Sequence, residues 1–477
     1  MNKKYRKLGV NMFFVAFGSF ASKFLTFLFV PLYTSILTTE EYGQIDIIFI
    51  TFNLLYPFFT FAIYESTLRL LLDNSEDKKV IILSNFIVNL LGFMLLLIAC
   101  TVTSIVYKNN TLIFLLMVYY VSHILYINLT SIVRGLDRLD IFAYSSVINS
   151  SLIIIFNLLF LLLFKWGVKG YVFAYSFSFI ISSSYILIKT KIYKYLTINK
   201  LGQSINLTKL KEMLRYSLPL IPNQMAWWIS NSSNKYILTY FHGMAATGLY
   251  SVADKIPSFI STVSKIFTTA WQISSVEDFG SQQSKDFFSD IYYKYTSLLL
   301  LVVSLVVLFV KVIAFILFKK DFYTAWIYAA VLVSAAMVYG LASFIGTIFT
   351  GAKYTKPLFY STLSGSVMNI VLNLCFIPKW GGLAAAISVI VSYLIVFIMR
   401  LLLSRKLLKF KIDYKSDIIC FTILAIQIII TVVEWQQWII MSIVCFLFII
   451  VLRRKFVVWA YHAGIRYLEN LIKKVSE

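Results

Sequence analysis

About fourteen apolar stretches, each long enough to cross a bilayer, follow one another along this chain with little polar sequence between them. A helical span needs about 20 predominantly apolar residues to cross the hydrocarbon. With 60% hydrophobic and 13% charged residues and a mean hydropathy of +0.83, a soluble chain could not hide its apolar surface. No water inside a bilayer can satisfy a bare backbone, so each stretch must close its own hydrogen bonds as a helix. The expected fold class is therefore an all-α polytopic membrane protein. The loops are too short to hold a catalytic domain, so no catalytic residues are assigned.

The spans fall near 10–37, 43–65, 80–106, 111–133, 141–164, 168–189, 216–241, 248–272, 291–318, 323–349, 357–378, 382–404, 416–433 and 436–452. Their even number puts both termini on one side. The formal charge of +22 would suggest nucleic acid in a soluble protein. Here the basic residues sort by loop instead, as cytoplasmic loops collect Lys and Arg. One side takes Lys3, Lys4, Arg6, Lys7, Arg69, Lys78, Lys79, Arg134, Arg138, the lysines of 190–215, Arg405 to Lys415, and Arg453 to Lys455. The other keeps Lys108, Lys165, Lys169, Lys319, Lys320 and Lys379. Both termini are expected in the cytoplasm, with 38–42, 165–169 and 379–382 outside, and no nucleic-acid partner is called for. The acidic loop at 273–290 departs from the pattern, but acidic residues count little in this rule. The basic N-terminus leads into a run with no small-residue cleavage site, which reads as an uncleaved first helix.

The longest polar connection, 190–215, divides the chain into two six-helix blocks and a final pair. The expected domains are 1–200, 201–412, an extra transmembrane pair at 413–455, and an amphipathic tail at 456–477 lying on the cytoplasmic leaflet. The blocks open alike. Lys23 aligns with Lys235, Tyr42 with Tyr250, and Asp46 with Asp254, which implies parallel repeats about an axis along the membrane normal with a central cavity.

A charge at mid-bilayer costs several kcal/mol and should face a wet cavity or a partner. Lys23 and Lys235 sit deep in the first helix of each block; Asp254 and Lys255 lie in the eighth span. Glu65 and Arg69, four apart, can pair across one helical turn. His123 is buried in a span. Lys311 is expected to snorkel at the outer interface. Prolines 31, 57, 219, 222 and 257 punctuate the helices. Amides recur (Asn53, Asn89, Asn128, Asn149, Asn157, Gln224, Asn231, Asn234, Gln272, Asn369, Asn373), more than helix–helix glue requires, which suggests a hydrated interior. Cys100, Cys375, Cys420 and Cys445 have no metal or disulfide spacing and read as small buried hydrophobes; no metal site is expected.

The segments Phe20-Ala21-Ser22-Lys23-Phe24, Pro31-Leu32-Tyr33 and Glu41-Tyr42-Gly43 resemble the first hairpin of the polysaccharide transporter family. Arg134-Gly135-Leu136-Asp137-Arg138, the run Leu214 to Pro222, Gly248 to Lys255, and Gly381 to Ala386 are similar to it too. That family holds O-antigen and capsule repeat-unit flippases, within the multidrug/oligosaccharidyl-lipid/polysaccharide exporter superfamily. The resemblance covers about residues 1–405. It implies two bundles around a cationic cavity that moves a lipid-linked, undecaprenyl-diphosphate-linked oligosaccharide to the outer leaflet by alternating access. Lys23, Lys235, Lys255 and Arg134 would then bind the diphosphate. Asp254, Glu65 and His123 are ion-coupling candidates; no cofactor is expected, and a proton or a sodium gradient is the candidate energy source. Membrane lipids, a polysaccharide polymerase and a chain-length regulator are the partners implied, in the bacterial cytoplasmic (inner) membrane. The rivals are a peptidoglycan-precursor flippase, a multidrug exporter and, least favoured by the short loops, a membrane glycosyltransferase.

Overall fold

The computed structural model describes residues 27–72, 78–107, 110–192, 206–277, 282–352, 354, 356–463 and 465. Among them every regular element is helical. In chain order these are α1 (Val30–Ile36), α2 (Thr39–Phe59), α3 (Ile63–Leu71), α4 (Lys78–Tyr107), α5 (Asn110–Gly135), α6 (Leu139–Asn157) with a π-helical extension (Leu158–Leu163), α7 (Gly167–Thr190), α8 (Leu207–Ser217) and α9 (Leu220–Ala253). Then come α10 (Lys255–Glu277), α11 (Gln282–Leu317), a 3-10 turn (Lys320–Ala325), α12 (Trp326–Gly351), α13 (Lys356–Ser404), α14 (Tyr414–Val433) and α15 (Trp438–Leu452). Eight of the described helices are long and apolar enough to span a membrane, and a ninth span forms if the bent pair α2–α3 is counted as one. The chain is a multi-pass membrane protein.

Three helices hold breaks that divide spans or bend them. α9 is interrupted at Gly243, with φ 79° and ψ 178°, where the sequence predicts the turn between the seventh and eighth spans. α13 breaks at Gly381, with φ 56°, between the predicted eleventh and twelfth. Both residues are glycine because an L side chain resists positive φ. The predicted second span is not one rod. It bends by 65° between α2 and α3, where Phe61 (φ 52°) and Ala62 (φ 47°) are left-handed without being glycine. Pro57 lies one turn upstream and can donate no backbone hydrogen bond, and its carbonyl accepts the Ala62 N–H at 3.0 Å. The predicted 190–215 loop also holds structure. Asn206 caps α8 by accepting from the Lys209 N–H at 3.0 Å, and α8 buries Met213 against Ile63, Leu71, Ile186 and Ile192.

The chain forms two compact units, Met1–Ser251 and Val252–Glu477, so contact places residues 201–251 with the first unit. In the first, α2 packs on α4, α5 and α7. Gly92 of α4 crosses α2 so closely that an added Cβ would fall 1.4 Å from the Phe59 carbonyl oxygen. The core there is aromatic: Phe49 stacks on Tyr119 at 4.5 Å, and Phe52 lies edge-on to Tyr119 and Tyr120. Beneath it Asn85 donates to Thr67 Oγ1 (2.8 Å) and Asn128 Oδ1 (2.9 Å), while Asn89 and Asn128 exchange bonds at 3.0 Å. The amides predicted to line a wet interior are here spent on one another. A buried amide needs a partner, and in this ladder its nearest acceptors lie on the adjoining helix. Asn373 likewise donates to Asn369 at 2.8 Å, and Gln224 accepts from Tyr64 at 2.8 Å.

In the second unit α12 is the central helix, with 89% of its span buried, packed by α10, α11, α13 and α14. Its small residues allow that approach; a Cβ on Gly340 would press the Tyr295 hydroxyl at 2.9 Å. The final pair α14–α15 is fastened to α11 at three levels. At one end Arg453, fully buried, pairs with Asp417, which also accepts the Tyr292 hydroxyl at 3.0 Å. Midway Gln427 accepts from Ser304 Oγ (2.6 Å) and donates to Ser442 Oγ (2.9 Å). At the far end Lys311 pairs with Glu434 between the rings of Trp326 and Trp438, 4.5 and 4.2 Å away. Lys311 thus has cation–π partners and an ionic partner, the exposed Glu434 at the end of α14, within reach. Cys100 and Cys420 are buried as expected, whereas Cys375 faces outward from the bundle. The amphipathic tail predicted at 456–477 is helical through 463 and at 465, and its other residues lie outside the described ones, as do residues 1–7.

Removing one partner of a buried ion pair strands the other charge and costs about 3 to 5 kcal/mol. Asp417→Ala should accordingly lower the unfolding midpoint in detergent sharply, and Asp417→Leu combined with Arg453→Met should recover most of it. Thermal melts of the wild type and the two variants check this.

Candidate functional site

The N-cap of α2 is a reciprocal box. Thr38 Oγ1 accepts the Glu41 N–H at 3.2 Å, and Glu41 Oε2 accepts the Thr38 N–H at 2.9 Å. This fixes the start of α2 and presents Gly43 to α9. The two backbones touch there. A Cβ on Gly43 would lie 2.0 Å from the Met244 oxygen, and one on Gly248 would lie 1.9 Å from the Thr39 oxygen. About one turn further along, Lys235 Nζ meets Asp46 Oδ2 at 3.0 Å, with both side chains about nine-tenths buried. Ser251 Oγ donates to the same carboxylate oxygen at 2.7 Å. The neighbouring residues reinforce the contact. Thr51 and Tyr236 share a hydroxyl hydrogen bond, Trp228 Nε1 donates to the Ile50 oxygen at 2.7 Å, and Asn234 Nδ2 donates to the Tyr250 hydroxyl at 2.7 Å.

The arrangement has two chemical properties. It places an ammonium at depth in the protein, neutralised by a single carboxylate. It also makes that carboxylate a latch, since Asp46 bridges Lys235 and Ser251 from α2. An anion richer in charge than a carboxylate would compete for Lys235, because attraction grows with charge and with the low dielectric of the surroundings.

The other candidates lie apart from this pair. Lys23 lies outside the described residues. Arg134, ending α5, donates through Nε to the Thr130 oxygen (3.3 Å) and through Nη2 to Ser131 Oγ (3.2 Å), and it covers the Phe142 ring at 5.5 Å. Glu65 forms no ion pair with Arg69 among the described residues; its carboxylate acts electrostatically on Arg134 at the end of α5 and on Tyr56 and Tyr64. His123 is sandwiched between Phe52 (4.4 Å, 16°) and Phe179 (4.1 Å, 4°), and its buried Nδ1 has no hydrogen-bond partner among the described residues. Asp254 and Lys255 stand at the junction of α9 and α10, at the start of the second unit, and both engage neighbouring groups. Asp254 acts electrostatically on Tyr393, whose ring meets Tyr339 at 5.4 Å. Among the described residues no cluster of His, Cys, Asp and Glu could hold a metal.

The second unit also holds an almost wholly hydrocarbon cleft of about 390 Å³ between α12, α13 and α14, with Met337, Leu341, Leu394, Phe397 and Leu424 in its walls.

The sequence profile described as polysaccharide biosynthesis protein matches residues 8–271, more than half of the chain. The chain belongs to this family. An uncharacterised membrane protein of Methanocaldococcus jannaschii is 25% identical over 317 residues, which are 63% of this chain; the chain spans about 60% of that relative's length. Among solved structures, the lipid II flippase MurJ in an inward closed conformation has a TM-score of 0.67 at 15% identity, covering 94% of this chain and 99% of its own. An inward-facing multidrug-resistance MATE transporter of the MOP superfamily has 0.62 at 14% identity, covering 81% and 95%. A MOP superfamily transporter from Pyrococcus furiosus, described by the reversed polarity of its binding pocket, has 0.53 at 14% identity, covering 83% and 95%. At these identities the likeness establishes a shared fold.

Sequence reasoning about this polysaccharide biosynthesis protein found Lys235 but not its partner. Asp46 entered only as a repeat position aligned with Asp254. Arg400 was also passed over: it is buried in α13 and donates to Ser361 Oγ (3.1 Å), Thr362 Oγ1 (3.0 Å) and the Ala342 oxygen (2.9 Å). Its place near a span end disguised its depth.

If the ion pair is a latch as well as a neutralised charge, stability and transport should separate. Asp46→Ala should destabilise the protein by about 3 to 5 kcal/mol. The double variant Asp46→Leu, Lys235→Met should regain most of that stability yet fail to restore transport. A double-mutant cycle by thermal melting, read beside glycan export, checks both halves.

Proposed function

We propose that this protein is a flippase for a lipid-linked oligosaccharide repeat unit, carrying it from the cytoplasmic to the outer leaflet for surface-polysaccharide assembly. The buried Lys235 ammonium carries the reading. A polyprenyl diphosphate is an amphiphile whose most expensive part to move is its compact anion, and a cation within the protein lowers that cost. In this mechanism the diphosphate competes with Asp46 for Lys235. Once displaced, Asp46 no longer ties α2 to α9, which weakens the contact through Gly43 and Gly248 and leaves it held by the Thr51–Tyr236 and Trp228–Ile50 bonds. Binding at one face thus favours opening at the other, which is alternating access driven by a difference in affinity between two states.

Membership in the family and the fold shared with flippases and exporters support a transporter rather than an enzyme. Lys23, Lys255 and Arg134 are proposed as further cations along the anion's path. Asp254, followed by Glu65 and His123, is the proposed coupling residue for a proton or sodium gradient. The apolar cleft between α12, α13 and α14 suits a prenyl or acyl chain. We place the protein in the bacterial cytoplasmic membrane with both termini inside, working beside a polymerase and a chain-length regulator.

Lys235→Ala should reduce surface-glycan export at least about tenfold at unchanged membrane level, while Lys235→Arg should keep part of it, since arginine supplies the charge in a different geometry. Immunoblots of surface glycan in a strain depending on this protein read the result; full export by Lys235→Ala would overturn the assignment. Rescue of a strain lacking its peptidoglycan-precursor flippase would move the substrate to that precursor.

A further inference from the structure

A second cleft, of about 660 Å³, opens in the first unit where the starts of α2, α5 and α7 come together. It lies well within the ~300 to 1,000 Å³ of small-ligand sites. Its walls carry Trp166 and Phe173 beside Glu41, Gln44, Thr111 and Lys169. We propose that it binds the sugar portion of a glycan at the outer face, as a saccharide site separate from the Asp46–Lys235 pair. The proposal rests on the translocation reading only in supposing that a glycan reaches this face.

The indole of Trp166 is built as a platform. It stacks on Phe160 (5.1 Å, 16°) and on Phe164 (5.2 Å, 27°). Those two rings are themselves only 6.1 Å apart. Sandwiching the indole would need about 7 Å, twice the ~3.5 Å contact distance, so both rings back the same face. Phe173, on the cleft wall, meets the indole at 75° with ring centroids 6.3 Å apart, and Trp166 remains 47% exposed. Its backbone setting is unusual on both sides: Lys165 and Gly167 each have φ of 53°. Left-handed backbone at a non-glycine residue is costly and is retained where position matters. Gly167 also admits Glu41, since a Cβ there would come within 2.6 Å of Glu41 Oε1.

The polar groups around the platform suit hydroxyls. Glu41 Oε2 is held by the Thr38 N–H, which orients the carboxylate as an acceptor. The Gln44 amide and the Lys169 ammonium have no partner among the described residues and supply donors, and Thr111 supplies either role. One carboxylate and one ammonium leave the cleft near neutral, which disfavours a diphosphate. A pyranose presents an apolar C–H face to stack on indole and a rim of hydroxyls to satisfy the rest. The charge distribution along the chain assigns 38–42 and 165–169 to the outside, the side on which a translocated glycan emerges.

The test uses the full-length protein in nanodiscs and, as probe, the oligosaccharides released by mild acid from the surface polysaccharide of the cells that make it. Titration calorimetry is run on the wild type, Trp166→Ala, Trp166→Phe and Gln44→Leu, with export measured in parallel. Expected are measurable wild-type binding, at least about tenfold weaker binding by Trp166→Ala, a smaller loss for Gln44→Leu, and near-normal binding by Trp166→Phe. No binding by the wild type, or equal binding by Trp166→Ala, would overturn the site, as would displacement of bound phosphatidylethanolamine as the sole Trp166-dependent signal. In each of those cases undiminished, protein-dependent export would leave the translocation reading standing. Intact oligosaccharide binding in cells whose export does not depend on the protein would do the reverse.

Discussion

In hydrocarbon a polar group has only the protein to bond with, and most of what distinguishes this molecule follows from that constraint. Backbone groups are satisfied by helix formation, which needs no specificity. Side chains are harder to satisfy: many buried hydroxyls bond back to their own helix, as Ser176 does to the Val172 oxygen, whereas several buried amides and charges find a complement on another helix. The Asn85–Asn89–Asn128 ladder, the Gln427 bridge from Ser304 to Ser442, and the Asp417–Arg453 and Asp46–Lys235 pairs are all solutions to this one problem. Apolar packing alone would let the helices slide against each other, since lipid solvates them equally well. The polar contacts give each helix a defined register.

The same constraint sorts the charges by use. Arg453 and Lys311 are each held by fixed partners, one fully buried on Asp417 and the other set against two indoles and Glu434, and these hold the last helix pair to α11. Lys235 differs: its partner lies on α2, beside a close approach of two glycines, with the Thr51–Tyr236 and Trp228–Ile50 hydrogen bonds alongside. A cation whose partner can move away is suited to a cycle, and one locked on every side is suited to a scaffold.

Much of this could be read along the chain, and the failures have a common cause. The helical spans were legible because hydrophobicity and length are local properties. The turns at Gly243 and Gly381 were legible because polar or glycine-containing sequence interrupts the apolar runs there. Partner identity was not. Glu65 and Arg69 have helical spacing and suggested a pair, but no ion pair joins them among the described residues, and the Glu65 carboxylate acts on Arg134, which lies on another helix. The recurring amides suggested water because they exceed what helix–helix glue requires, yet Asn85, Asn89 and Asn128 bond one another across α4 and α5. Asp46 stands 189 residues from Lys235, and no periodicity links them.

The contact of Gly43 with Gly248 carries one more consequence. Two backbones meeting without side chains freeze no rotamers when they join and release none when they part, so the entropy of ordering, up to about 2 kcal/mol for each long side chain immobilised, hardly enters. Such a seam resembles two smooth rulers laid edge to edge more than a toothed gear. It can open without unpicking interlocked side chains, and its strength resides almost entirely in the few polar bonds beside it. Any residue larger than glycine would act as a wedge and bias the resting population toward the parted form. Over evolutionary time, then, the seam would tolerate change in its polar neighbours, which tune the balance of states, far more readily than change in the glycines that allow the closed state to exist.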